Sequence, residues 1–133
     1  IIAGVKVDEY RKTIPFAVRS QDAILEVGCH FGRTTKLLDD AGGHCIGVDI
    51  GPKIIANAKK QYPDIQFAVG DAWKTLQLLK LRKTLAKEDE LGYDLVYADI
   101  GGLSGADGHL ESLSLLDSIA YALEPRGIII KSV

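Results

Sequence analysis

The sequence predicts a doubly wound α/β fold on a parallel sheet. Three observations carry that prediction. Short runs alternate with longer amphipathic ones along the chain. The short runs are mostly apolar or β-branched throughout, as in strands covered on both faces. Several of them close on Gly or Asp, the residues of strand-to-helix turns.

The N-terminal stretch, about residues 5–19, holds a helix broken at Pro15. Residues 23–27 (AILEV) form the first strand of the pattern. A helix follows over 33–41, after Gly32, and stops at Gly42-Gly43. Residues 45–48 (CIGV) form the next strand. The helix over 52–61 opens on Pro52, a favoured first-turn residue, and stops before Pro63. Residues 65–69 (IQFAV) are a strand, and 72–87 a helix carrying Leu76, Leu79 and Leu85 among Lys and Arg. Residues 94–98 (DLVYA) are a strand. Residues 109–123 are a helix with an apolar stripe of Leu113, Leu116, Ile119, Ala120 and Leu123. Residues 127–131 (GIIIK) close the series, and right-handed crossovers join these strands.

Composition sets the bounds. A chain of 133 residues suits one domain over 1–133 and is short for two. Hydrophobic residues at 47% and charged residues at 26% exclude a disordered chain. No apolar run approaches the roughly 20 residues of a membrane-spanning helix, so no membrane role is expected. Sixteen Lys+Arg against 18 Asp+Glu give a net charge of −2, which disfavours a strongly basic nucleic-acid binder. Cys29 and Cys45 make neither a disulfide framework nor a metal-ligand pattern. They fit a soluble protein in a reducing intracellular compartment, the cytoplasm or an organelle such as a plastid. No signal peptide is visible. The chain starts at Ile1 rather than Met, as a processed form or part of a longer protein would.

In a doubly wound fold, ligands bind at the carboxyl ends of the strands. After the first of these come Glu26-Val27-Gly28-Cys29-His30-Phe31-Gly32. Gly28 permits backbone geometry that a side chain blocks, and Gly32 permits close approach. The following helix offers free N–H groups to an anionic group. The same glycines also suit a plain strand-to-helix turn. A dinucleotide fingerprint needs glycines where His30 and Arg33 stand, so NAD or FAD is not expected. Asp49 stands about 20 positions beyond the glycine turn, where an acid accepts hydrogen bonds from ribose hydroxyls. Its alternative is to cap the 52–61 helix. Asp71 suits an adenine amine, with Ala72 or Trp73 against the base; the alternative is Asp71 as a helix cap and Trp73 in the core. Asp94 reads as structural. Asp99 points at the same crevice, and a Gly-, Ser- and Asp-containing loop over 101–108 reads as a substrate loop. Asp107 suits a helix cap, and His109 the surface. Lys131 closes a buried strand, which is unusual unless it reaches a polar site.

This ordered set resembles the class I S-adenosylmethionine (SAM) dependent methyltransferases over about residues 22–131. Glu26-x-Gly28-x-x-x-Gly32 is similar to their first motif, Asp49 to the ribose-binding acid, and Gly70-Asp71-Ala72 to the adenine segment. Asp94 to Asp99 resembles the fourth motif, and Leu123-Glu124-Pro125-Arg126-Gly127 the turn before the fifth strand. No one motif is specific; their order and spacing carry the likeness. The wording of 25–35 and 98–107 looks most like uncharacterised plant and algal members.

The resemblance implies a Rossmann-like parallel sheet, a class I methyltransferase core lacking the C-terminal sixth and seventh strands. It implies SAM as cofactor. Its methionine part would meet Gly28, Cys29, His30 and Gly32, with Glu26 near the amino group. Asp49 and Ile50 would face the ribose, and Gly70, Asp71 and Ala72 the adenine, with Asp99 alongside. Asp99 and Lys131 are the implied catalytic pair. The methyl acceptor, a small molecule, RNA or protein, is not specified.

Three departures shape that reading. His30 replaces the family's middle glycine. Ile100-Gly101-Gly102 replaces the Pro-Pro-aromatic pattern of enzymes that methylate amino groups of bases and glutamine. The missing strands would leave an open sheet edge, as in a non-catalytic subunit of a larger assembly. The metal-dependent catechol branch fits poorly, because Lys131-Ser132 stands where its acidic pair is needed. Lys6, Asp99 and Lys131 instead resemble three of the Lys-Asp-Lys-Glu set of RNA ribose 2′-O-methyltransferases. Lys74, Lys80, Arg82, Lys83 and Lys87 could meet phosphates. They equally suit a solvated helix face offset by Glu88-Asp89-Glu90.

Overall fold

The computed structural model, which describes residues 1–85, 92–101 and 105–131, contains the five strands and adds one before them. β1 is Ile2–Gly4, β2 Ala23–Val27, β3 His44–Asp49, β4 Gln66–Val69, β5 Leu95–Ala98 and β6 Gly127–Lys131. Every pairing is parallel, in the order β1-β6-β5-β2-β3-β4. The chain winds outward from β2 through β3 to β4, then returns to β5 on the other side of β2. The carboxyl ends of β2 and β5 therefore flank the switch point, where such sheets open a crevice.

Among the described residues no strand follows β6. The edge expected to be open is nevertheless paired: β1 lies against β6, with Gly4 opposite Lys131. Three residues are too few to register as a strand by propensity, so only tertiary pairing reveals them.

The helices shift at their ends. α1 (Val7–Lys12) and α2 (Ile14–Ala17) replace the single broken helix. The break falls at Thr13, because Pro15 sits in the first turn of α2, where its missing N–H is harmless. α3 is Arg33–Asp40 and α4 Pro52–Gln61. α5 is only Thr75–Arg82. Residues 71–74 form a turn instead, in which Trp73 N–H donates to Asp71 Oδ1 at 3.0 Å and Lys74 N–H to Asp71 O at 3.0 Å. Asp71 thus caps a turn rather than the helix. Lys87, the acidic run at 88–90 and residues 102–104 lie outside the described residues, as does the side chain of Asp107.

α6 (Gly105–Leu123) starts before His109 and takes over the end of the expected 101–108 loop. Its buried face is Ser112, Leu115, Ile119 and Leu123, whereas Leu113 is 63% exposed. The helix carries two stripes at helical spacing, and packing on the sheet selects one.

Both sheet faces are covered. Leu25, Val27, Val48, Val96, Ala98, Ile128 and Ile130 pack under α5 and α6. Ile24, Cys45, Leu95, Tyr97 and Ile129 face the other way, with Tyr10, Ile14 and Leu38. Below the strands, Arg126 holds Asp22 by two bonds of 3.0 and 2.6 Å, and Ala23 N–H donates to Asp94 at 2.7 Å. Asp94 is structural.

Leu115→Ala removes a fully buried side chain and is expected to cost about 2–5 kcal/mol in urea denaturation. Leu113→Ala, on the solvent stripe, should stay within about 0.5 kcal/mol. A larger loss from Leu113→Ala than from Leu115→Ala would mean that α6 presents the other stripe to the sheet.

Candidate functional site

Two adjoining cavities open at the carboxyl ends of the strands. The larger, about 510 Å³, is lined by Gly28, His30, Asp49, Ile50, Gly70, Asp71, Ala72, Trp73 and Asp99, among others. The smaller, about 300 Å³, is lined by Arg11, Glu26, Gly28, Cys29, His30, Arg33, Thr34 and Asp99, among others. Gly28, His30 and Asp99 border both. Of the cofactor-binding and catalytic residues that the resemblance implies, the cleft gathers all but two: Gly32 braces the turn behind it, and Lys131 reaches it through Asp99.

The turn after β2 is dictated by space. Gly28 has φ +77°, and a Cβ there would stand 1.9 Å from the Asp99 carbonyl oxygen. No rotamer relieves a clash between a Cβ and backbone, so glycine is required where β2 and β5 part. Gly32 has φ +86°, and a Cβ there would lie 2.5 Å from the Phe67 ring. Between them His30 adopts φ +49°, the left-handed conformation that glycine takes most cheaply. His30 thus holds a backbone conformation better suited to glycine. The His30 ring packs on Phe31 at 4.0 Å between centroids.

Asp49 ties this turn to the end of β3. One carboxylate oxygen accepts the His30 N–H at 3.0 Å and the other the Gly51 N–H at 3.2 Å. Each oxygen keeps further acceptor capacity for a ligand hydroxyl. Gly51, not Asp49, occupies the cap position of α4. Ile50 is 71% exposed on the cavity wall. Trp73 is no core residue: it is half-exposed and lines the larger cavity beside Ala72.

Cys29 is buried against Ile55, Ala58 and Phe67. Burial, then the nearby Glu26 and Asp49 charges, push its thiol up, which suits packing rather than nucleophilic chemistry. At the end of β5, Lys131 Nζ donates to Asp99 Oδ1 at 2.6 Å. Lys131 therefore does reach a polar site. Lys6 is exposed at the start of α1, two residues past Gly4. Arg82 differs from the expectation of a phosphate contact. It is 3% exposed and donates to the carbonyls of Gly92 and Leu85. The guanidinium pins the chain on either side of residues 86–91 instead of facing solvent.

Glu26 is the most unusual group here. It is 2% exposed in the middle of the sheet. Thr35 Oγ1 donates to one carboxyl oxygen, and Tyr10 OH to the other at 3.4 Å. Burial outweighs these bonds and, with the Asp99 charge, raises the carboxyl to about 8. Tyr10 and Thr35, like Arg11 and Thr34, carried no sequence signal beyond helix periodicity. Their roles depend on α1 lying against the start of α3.

A carboxyl raised in the folded state stabilises it below the ordinary glutamate range, and the benefit fades as pH climbs toward about 8. Glu26→Gln should therefore flatten the loss of stability between about pH 4.5 and 8, measured by denaturation against pH. An unchanged slope in the variant would refute the neutral, buried carboxyl.

Comparison with known proteins agrees with this architecture. The chain matches the methyltransferase-domain family over residues 24–127. No curated protein matches it. A TehB-like SAM-dependent methyltransferase from Corynebacterium glutamicum superposes with TM-score 0.61 at 24% identity, over 91% of this chain and 60% of that one. The Haloferax volcanii complex of the Trm112 methyltransferase activator with a methyltransferase gives TM-score 0.61 at 25% identity, over 91% and 48%. SAM-bound CalS10, an amino pentose methyltransferase from Micromonospora echinaspora, gives 0.58 at 18%, over 87% and 45%. The chain thus spans 45–60% of the length of these structures. The family match takes in β2 to the start of β6, the part of the sheet that builds the cleft, so this chain belongs to the methyltransferase-domain family and has the Rossmann-like fold of SAM-dependent methyltransferases.

Proposed function

We propose that this chain is the SAM-binding core of a methyltransferase. The observation that carries the reading is the two-part cleft at the switch point. Its larger cavity presents Asp49 and Asp71 from neighbouring strand ends, and its smaller one adjoins at Gly28. The donor set fits a nucleoside joined to a charged tail: acceptors for ribose and adenine in one chamber, ionisable groups in the other. The family membership and the SAM-bound CalS10 structure support the same cofactor.

SAM supplies a sulfonium-activated methyl group when bound. The chain's share of the work is then largely positioning. Asp49 holds the turn at His30 and offers acceptor capacity to the ribose. Asp71, Ala72 and Ile50 frame the adenine chamber. Gly28 and Gly32 let the turn take the shape that borders the cleft, and Asp99 borders both chambers. The Haloferax volcanii relative is solved with an activator protein, which supports a partner chain here also.

The Asp99–Lys131 pair favours a second reading, transfer to a ribose hydroxyl of RNA. A lysine beside a carboxylate can take a hydroxyl proton when its own is lost, while the carboxylate orients it. Lys74, Lys80 and Lys83 are exposed on α5 and at its two ends, and supply a place for phosphates.

Calorimetry with SAM and S-adenosylhomocysteine tests the first reading. Asp49→Ala is expected to weaken both at least about tenfold, through lost hydrogen bonds to a charged acceptor. A variant that binds as the parent does removes the ribose role, and no binding by the parent removes the reading.

For the second, transfer of labelled methyl to an RNA oligonucleotide should be lost in Lys131→Met while SAM binding persists. Transfer undiminished by that substitution, or none by the parent, returns the acceptor to small molecules and proteins.

A further inference from the structure

We infer that the surface at the start of α5 binds a single-stranded nucleic acid, with a base against the Trp73 indole and phosphates on Lys74 and Lys80. The inference deepens the second reading above and rests on it for the class of ligand. Binding is measured apart from methyl transfer, so the two fail separately.

An open hollow of about 680 Å³ adjoins the larger cavity, and Trp73 borders both. Lys74, Leu76 and Lys80 line the hollow with Thr75 and Gln77. Among the described residues no acid lines it, and neither lysine has an ion pair. A polyanion therefore meets two uncompensated cations there, although the whole chain carries a net charge of −2.

The aromatic residue selects the kind of polyanion. Trp73 is 46% and Leu76 65% exposed, so apolar surface stands in water among the cations. The backbone beneath it is fixed: Trp73 N–H donates to Asp71 Oδ1 and Lys74 N–H to Asp71 O, both at 3.0 Å. A base gains by stacking on an aromatic ring, and a platform fixed beforehand loses less freedom on binding. An acidic peptide would answer the lysines alone. A duplex keeps its base faces stacked inside. A single strand supplies free base faces and phosphates in alternation, which matches an indole set among lysines. Trp73 and Asp99 also line one cavity, so a strand that crosses the indole continues toward the Asp99–Lys131 pair.

Trp73 is the only tryptophan in the chain, so intrinsic fluorescence reports this site directly. The full chain is titrated with single-stranded RNA and DNA of about 12 nucleotides, and with polyphosphate. The strands should quench the indole, and their binding should weaken about tenfold between about 50 and 200 mM salt, as two or three phosphate contacts require. With a labelled oligonucleotide, Lys74→Gln and Lys80→Gln should each weaken binding and flatten its salt dependence. Trp73→Ala should weaken it about tenfold, and Trp73→Phe should restore part. An unchanged urea midpoint shows that a variant is folded, and the exposed lysines keep the test decisive if Trp73→Ala unfolds. RNA bound at least as tightly as DNA supports an RNA source. Tighter binding of DNA keeps the surface and removes the RNA acceptor. Strand binding without methyl transfer keeps the surface and removes the second reading. Polyphosphate binding as tight as that of the strands, or undiminished binding by Trp73→Ala, overturns the inference. So does a parent that binds no strand, even one that methylates RNA.

Discussion

A side chain at position 28 would run into the carbonyl of Asp99, and the rest of the site depends on that contact. β2 and β5 pair from Ile24 to Val27, and their ends must separate at once to open a crevice. Gly28 makes the separation without leaving β5 behind. Its N–H donates to Val48 O at 2.8 Å, while Asp99 N–H donates to Val27 O at 3.0 Å. Three strand ends are thereby locked within one turn. The residues that follow each of them, His30, Asp49 and Asp99, face a common space. Any larger residue at 28 must push β5 away and dismantle that arrangement.

The acids around this space are each held by nearby donors. Asp99 has Lys131, and Asp49 has two backbone N–H donors. Glu26 has hydroxyl partners only, and burial holds it largely neutral near pH 7. An isolated buried carboxylate would cost several kcal/mol, so protonation is the cheaper state until a cation arrives. The acids of the cleft are thus each engaged by donors or held protonated.

The N-terminal segment completes the site in a way that the strand pattern does not announce. β1 pairs with β6 and becomes the edge strand beside Lys131. α1 then crosses to the start of α3, where Tyr10 reaches Glu26 and Arg11 reaches Thr34. One segment of about a dozen residues thus touches both the strand that carries Lys131 and the smaller chamber. Its stability comes from buried aromatic area rather than helix length, since six residues do not hold a helix in water.

The sequence by itself determined the strand series, the glycine turn and the acids at successive strand ends. Apolar runs and glycine-acid punctuation are local signals, and they locate β2 to β6 within one or two residues. It also marked Asp94 as structural and Lys131 as a lysine needing a polar partner. Tertiary structure alone decided which stripe of α6 is buried, because Leu113 and Leu115 are equally apolar and only the sheet distinguishes them. It alone shortened α5, buried Arg82 and exposed Trp73, since those outcomes depend on carbonyls and walls contributed by distant segments. It alone brought β1, Tyr10 and Arg11 to the cleft. Contacts between residues far apart in the chain leave no periodicity in it, so only the packed sheet reveals them.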